Sequence, residues 1–272
     1  MTTTSKSKGT ALVTGASTGI GAIYAERLAK RGYDLILVAR NQARLTELAN
    51  RLATQSGRTV KTLVADLGNK SDLGRIEATL RDDASITVLV NNAGVGAVTP
   101  LVATDVGKMD DLIALNVTAL THLTYAAAPA FVSRGNGTII NIASVVGIAP
   151  EMLNGVYGAS KAYVLAFSQS LQHELSDKGI RVQAVLPGAT ATDFWEIAGH
   201  HHRNLPKEIV MSAEDMVDAA LAGLDQGEVV TIPSLADQNE WTSYETARRA
   251  MSTHLSRATP AARYKVGESA VA

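Results

Sequence analysis

Thr14-Gly15-Ala16-Ser17-Thr18-Gly19-Ile20-Gly21 is the stretch that decides the fold. The apolar run Ala11, Leu12 and Val13 leads into it, and Ile20, Ile23, Tyr24 and Leu28 follow at helical spacing, so the glycines stand where a strand turns into a helix. Glycine tolerates positive φ and lets backbone amides close on a bound group, while a helix N-terminus offers unpaired N–H groups and a favourable dipole end. That combination suits the pyrophosphate of a dinucleotide. The spacing is Gly-x-x-x-Gly-x-Gly instead of Gly-x-Gly-x-x-Gly, and a plain turn with incidental glycines is the competing reading. The strand before and the amphipathic helix after favour the cofactor.

Working outward, Leu35-Ile36-Leu37-Val38, Val60 to Ala65 and Val88 to Asn91 are further apolar runs, and their alternation with helical stretches continues to Thr231-Ile232. This predicts an α/β protein with a parallel sheet covered on both faces. Ligands of such sheets bind beyond the carboxyl ends of the strands. Gly15, Arg40, Asp66, Asn92 and Ser144 each fall at or just after such an end. The expected domain runs over 10–256 with a loop at 188–212, between a disordered N-terminal tail at 1–9 and a C-terminal tail at 257–272.

At 272 residues with a net charge of −1 and no cysteine, the chain is long enough for one sizeable domain and has no disulfide or thiol chemistry. The near-neutral charge argues against nucleic acid as a partner. Met1 to Gly9 is polar, so neither a signal peptide nor a membrane anchor is expected, and a cytoplasmic protein fits.

Tyr157 and Lys161 are four apart and share one helix face. One positive charge ~4 Å from the phenol contributes about 4 kcal/mol at an effective dielectric of ~20, enough to bring a group that ionises near pH ~10 close to the working range. Alone, such a pair is commonly solvated helix surface. Ser144 read alone caps a strand end, and Asn116 read alone is a satisfied polar residue in a helix.

Taken in order, Thr14 to Gly21, Asp66-Leu67, Asn91-Asn92-Ala93-Gly94, Asn116, Ser144, Tyr157 with Lys161, and Pro187-Gly188 followed by Thr190 and Thr192 closely resemble the short-chain dehydrogenase/reductase family in its single-domain form. The resemblance implies a nicotinamide-dependent oxidoreductase on a single-domain Rossmann-type fold, with a doubly wound parallel sheet of about seven strands. It also implies an oligomer, usually a homodimer or homotetramer, with the long helices around Met109 to Val132 and Tyr157 to Ser176 at dimer contacts. It implies that Tyr157 is the acid/base and that Lys161 lowers its pKa and binds the nicotinamide ribose. Ser144 would hold the substrate oxygen, and Asn116 would anchor a water linked to Lys161. Cofactor contacts are implied at Gly15, Ser17, Thr18, Gly19, Ile20, Gly21, Asp66, Leu67, Asn92, Ala93, Gly94, Tyr157, Lys161, Pro187, Gly188, Thr190 and Thr192. A hydroxyl and a phenol converging on one oxygen would polarise a carbonyl and deliver its proton.

In NAD-preferring Rossmann proteins an acidic residue at the end of the second strand binds the ribose and repels a 2′-phosphate. Here that place is Ala39, followed by Arg40, so NADP(H) is expected over NAD(H), unless Arg40 is an ordinary surface charge. Asp66 is expected at the adenine, or as a helix N-cap, or both.

Phe194, Trp195 and Ile197 make the 188–212 loop apolar, and Val145, Val146, Ile148 and Met152 flank Ser144. An apolar substrate pocket and packing onto the core or a neighbouring subunit are equal readings. His200, His201 and His202 are consecutive, a geometry that does not converge on an ion, so no metal is expected. Trp241, Tyr244, Met251 and Leu255 suggest an amphipathic segment that covers the active site, the sheet edge or a partner subunit. The function expected is hydride transfer between the nicotinamide and an apolar carbonyl or secondary alcohol. The alternatives are a non-catalytic NADP(H)-sensing regulatory protein, or a lyase or epimerase on the same fold.

Overall fold

The computed structural model describes residues 7–199 and 202–265. Seven parallel strands form its sheet: β1 (Thr10–Thr14), β2 (Asp34–Ala39), β3 (Val60–Val64), β4 (Ile86–Asn91), β5 (Gly137–Ile142), β6 (Ile180–Val185) and β7 (Val230–Thr231), in the order β3-β2-β1-β4-β5-β6-β7. The chain steps outward from β1 to β3, then returns across β1 to start β4. The order therefore reverses between β1 and β4, and in open α/β sheets that crevice is where ligands bind. This is the parallel sheet expected from the alternating apolar runs, in the doubly wound Rossmann-type order that the resemblance implies.

Neighbouring residues on a strand face opposite sides, and the core divides accordingly. Val13, Leu37 and Val90 join a cluster with α1 (Gly19–Lys30) and α2 (Gln42–Ser56), while Leu12, Ile36 and Leu89 join one with α3 (Lys70–Asp82). β3 departs from the pattern of a strand buried on both faces. It is an edge strand, half-exposed, with Lys61 and Thr62 exposed on opposite faces, and the lysine discourages pairing with another chain.

The stretch expected as one long helix from Met109 to Val132 is three pieces: α4 (Val106–Ile113), a π-helical turn (Ala114–Ala119) and α5 (Leu120–Arg134). A π turn inserts one residue into the helical repeat, a change that apolar periodicity does not reveal. The chain continues through α6 (Gly155–Leu175), α7 (Phe194–Ile197), α8 (Ala213–Asp225) and α9 (Gln238–Ala250). No helix among the described residues is long and apolar enough to cross a membrane.

The tail expected over 1–9 is shorter at its inner end. Lys8 N–H donates to Gly32 O at 3.1 Å and Asp34 N–H donates to Gly9 O at 3.0 Å, which ties residues 8 and 9 to the turn before β2. Residues 1–6 and 266–272 of the two expected tails lie outside the described residues. So do His200 and His201, and of His202 only the backbone is described. Packing separates Met1–Pro233 from Ser234–Ala272, a boundary inside the expected 10–256 span. Within the second unit α9 stacks Trp241 on Tyr244 at 5.2 Å and pairs Glu245 with Arg248 at 2.9 Å.

Candidate active site

The glycine turn is shaped by contacts that leave no room for side chains. Gly15 and Gly19 have φ of 64° and 53°. A Cβ on Gly15 would lie 2.8 Å from Asn92 Nδ2, and one on Gly21 would collide with the Gly15 carbonyl. Asn92 Nδ2 donates to Thr14 O at 2.9 Å, while the Thr14 hydroxyl accepts from Asn92 N–H and Ala93 N–H, each at 3.0 Å. Thr14, given no role of its own from sequence, joins the ends of β1 and β4 at the sheet's reversal. Thr192 backs the same turn, 3.1 Å from where a Gly19 Cβ would sit.

Thr18 begins α1 without a side-chain cap, and the first turn holds no acidic residue, whereas α2, α3, α6 and α8 are capped by Asn41, Asn69, Asn154 and Ser212. The first amides of α1 are therefore left to an external acceptor. A glycine cradle with an uncapped helix end fits a dinucleotide pyrophosphate, and Ser17, Thr18 and Ile20 are the residues that would frame it.

Asn116, Ser144, Tyr157 and Lys161 are all buried. Asn154 caps α6, its Oδ1 accepting from Val156 N–H at 2.9 Å and Tyr157 N–H at 3.4 Å, while its Nδ2 donates to Thr99 O at 2.7 Å. The cap sets the first turn of the helix that carries Tyr157. Ser144 follows β5, and its hydroxyl donates to Pro187 O after β6 at 3.2 Å. Lys161 Nζ donates to Ile142 O at 2.9 Å and lies 5.8 Å from the centre of the Tyr157 ring. Asn116, in the π turn, donates to Val95 O at 2.8 Å, accepts from Val95 N–H at 2.9 Å and reaches Ser160 Oγ at 3.3 Å. A Cβ on Gly94 would lie 3.0 Å from Asn116 Oδ1 and 3.7 Å from Lys161 Nζ, so bare backbone separates the two.

Burial pushes the Tyr157 phenol up to about 12, with the Ser144 hydroxyl acting in the opposite direction. Burial also brings the Lys161 ammonium down to about 8. The downward shift expected for Tyr157 from its spacing to Lys161 is therefore reversed. Loss of water around the phenol outweighs the Ser144 hydroxyl, and the Lys161 ammonium is bonded to the Ile142 carbonyl.

Arg40, just after β2, is exposed and approaches Asp66 no closer than 4.0 Å. Asp66 does not cap α3, since Asn69 accepts from Ser71 N–H and Asp72 N–H; Asp66 instead accepts from Gly68 N–H at 3.0 Å. Leu67 is buried. Beyond Gly188, Thr190 forms a bridge to Met211 and its hydroxyl donates to Gly188 O at 3.2 Å. Among the described residues no group of three or more His, Cys, Asp or Glu is placed to hold a metal ion.

The model of the short chain dehydrogenase family matches residues 9–202. A short-chain dehydrogenase from Sphingobium yanoikuyae, solved in complex with NADPH, is 50% identical, covers 94% of this chain and 99% of its own, and superposes with a TM-score of 0.92. The bulky-bulky ketone specific alcohol dehydrogenase from Comamonas testosteroni is 45% identical over 95% of this chain and 99% of its own, with a TM-score of 0.88. An uncharacterized oxidoreductase of Staphylococcus epidermidis is 34% identical over 82% of this chain and 93% of its own length.

Proposed function

The chain belongs to the short chain dehydrogenase family, and on that premise we propose that it is an NADP(H)-dependent reductase of apolar ketones and aldehydes, or the matching alcohol dehydrogenase. The observation that carries this reading is the buried Tyr157 phenol, on which the Ser144 hydroxyl acts, set in an apolar cluster with Ala97, Leu112 and Val146. Two hydroxyls there can bind one carbonyl oxygen, and the apolar walls suit aliphatic or aromatic substituents. Nicotinamide, when bound, supplies the hydride. Tyr157 then gives its proton to the developing alkoxide, Ser144 steadies that oxygen, and Lys161 supplies positive charge beneath the ring. Asn116 is the anchor by which the π turn holds the Val95 backbone, and through it the loop beside Gly94.

The NADP(H) preference rests on Arg40, an exposed guanidinium at the end of β2, with Ala39 where a repelling carboxylate would stand. The exposed ring of Tyr125 stacks on Phe167 at 6.4 Å, and Phe167 stacks on Tyr163 at 5.6 Å. This aromatic row on α5 and α6 supports association into a homodimer or homotetramer, and sedimentation at micromolar concentration checks it.

NADPH and NADH oxidation against aryl and alkyl ketones, with Tyr157→Phe as control, tests the whole reading. The expected result is NADPH-dependent turnover that drops by about 10²–10⁴ in the control while NADPH still binds. Turnover that survives in Tyr157→Phe overturns it.

A further inference from the structure

Beside Tyr157 stands a ring that the chemistry itself does not need. Phe194, the first residue of α7, lies 5.9 Å from the Tyr157 ring, centre to centre, tilted at 45°. Its tip fills the space over Gly96: a Cβ there would lie 2.8 Å from Phe194 Cε1 and 3.0 Å from Cε2, and closer still to Cζ. The residues on either side are tethered. Asp193 pairs with Arg44 of α2 at 3.2 Å, and the buried Trp195 donates its indole N–H to Thr190 O at 2.9 Å. The Trp195 ring also meets Phe194 edge-on at 6.0 Å. A bulky ring on a loop is thus held in one place by a glycine notch and two flanking anchors.

We propose that Phe194 is the specificity-determining residue of this site, a wedge seated in the Gly96 notch that limits the smaller substituent of the ketone presented to Tyr157. The inference rests on the ketone-reductase reading and deepens it. The two exposed charges of the Arg44–Asp193 pair contribute little holding energy, so the buried Trp195 bond and the notch set the ring's position.

The test compares kcat/KM for acetophenone and valerophenone with NADPH in wild type, Phe194→Ala, Phe194→Leu, Gly96→Ala and the Gly96→Ala/Phe194→Ala double variant. Phe194→Ala is expected to raise the valerophenone-to-acetophenone ratio about tenfold or more, as several methylenes gain room, with NADPH affinity unchanged. Phe194→Leu falls between. Gly96→Ala displaces the ring and shifts the ratio by itself, but adds nothing once Phe194 is alanine, because the ring it would displace is gone. A folded, NADPH-binding Phe194→Ala with an unmoved ratio, or additive effects in the double variant, overturns the wedge. Wild-type protein that turns over neither ketone fails differently, since it removes the reductase reading and the wedge with it.

Discussion

Burial keeps the Tyr157 proton in place at neutral pH, with the phenol pushed up to about 12. The protonated form is the donor that reduction needs, so kcat/KM for ketone reduction is expected to be nearly flat from pH ~6 to ~8, while alcohol oxidation, which needs the phenolate, climbs about tenfold per pH unit. Parallel profiles in both directions would contradict this. Lys161 is moved the other way, down to about 8 from 10.5. Its folded value lies below its unfolded one, so the protein carries a buried charge at pH 7 at a penalty on the order of 3 kcal/mol, which fades as pH rises from ~8 toward ~10.5. Replacing the ammonium by Lys161→Met is therefore expected to raise Tm by about 2–6 °C at pH 7, allowing about 1 kcal/mol for the lost bond to Ile142 O, while turnover falls sharply. Calorimetry alongside NADPH oxidation checks both. Tyr157, Lys161, Ser144 and Asn116 were picked out in the sequence by the family resemblance, and spacing by itself spoke only for the Tyr157–Lys161 pair. The direction of the Tyr157 shift was not, since spacing shows which charge is near but not how much water is lost.

At the scale of elements, caps and turns aim the side chains. Asn154 satisfies two amides of α6 and fastens that end to Thr99. Asn154→Ala should cost about 1–2 kcal/mol, lower Tm by a few degrees, and reduce kcat more than it raises KM, because the first turn of α6 carries Tyr157. At the end of β2, Arg40→Ala is expected to weaken NADPH binding about tenfold or more and leave NADH nearly unchanged, the loss of one charge-assisted contact to a phosphate. Equal weakening of both cofactors, read by fluorescence titration, would rule out the phosphate role. The strand runs and the glycine turn were legible as period and punctuation. The π turn at Ala114–Ala119 and the division of labour between Asp66 and Asn69 were not, because each depends on which backbone group a side chain meets.

Across the whole molecule, the sheet separates two apolar layers that report on different helices. Leu37 and Leu89 are both fully buried, on opposite faces. Each Leu→Ala change is expected to cost about 2–5 kcal/mol by urea denaturation, and the double variant should equal their sum within about 0.5 kcal/mol, because the two side chains belong to separate clusters. A large coupling energy would mean that the faces relax together. Alternating apolar runs were enough to determine a parallel sheet covered on both faces, because periodicity marks most segments as strand or helix, and the ordered motifs from Thr14 to Thr192 carried the resemblance to the family. Only the tertiary structure decided that burial raises the Tyr157 phenol instead of lowering it, that Thr14 and Asn92 lock the reversal of the sheet, and that Phe194 lies over Gly96. Those outcomes depend on water excluded and space filled between residues far apart in the chain, and a one-dimensional pattern contains neither quantity.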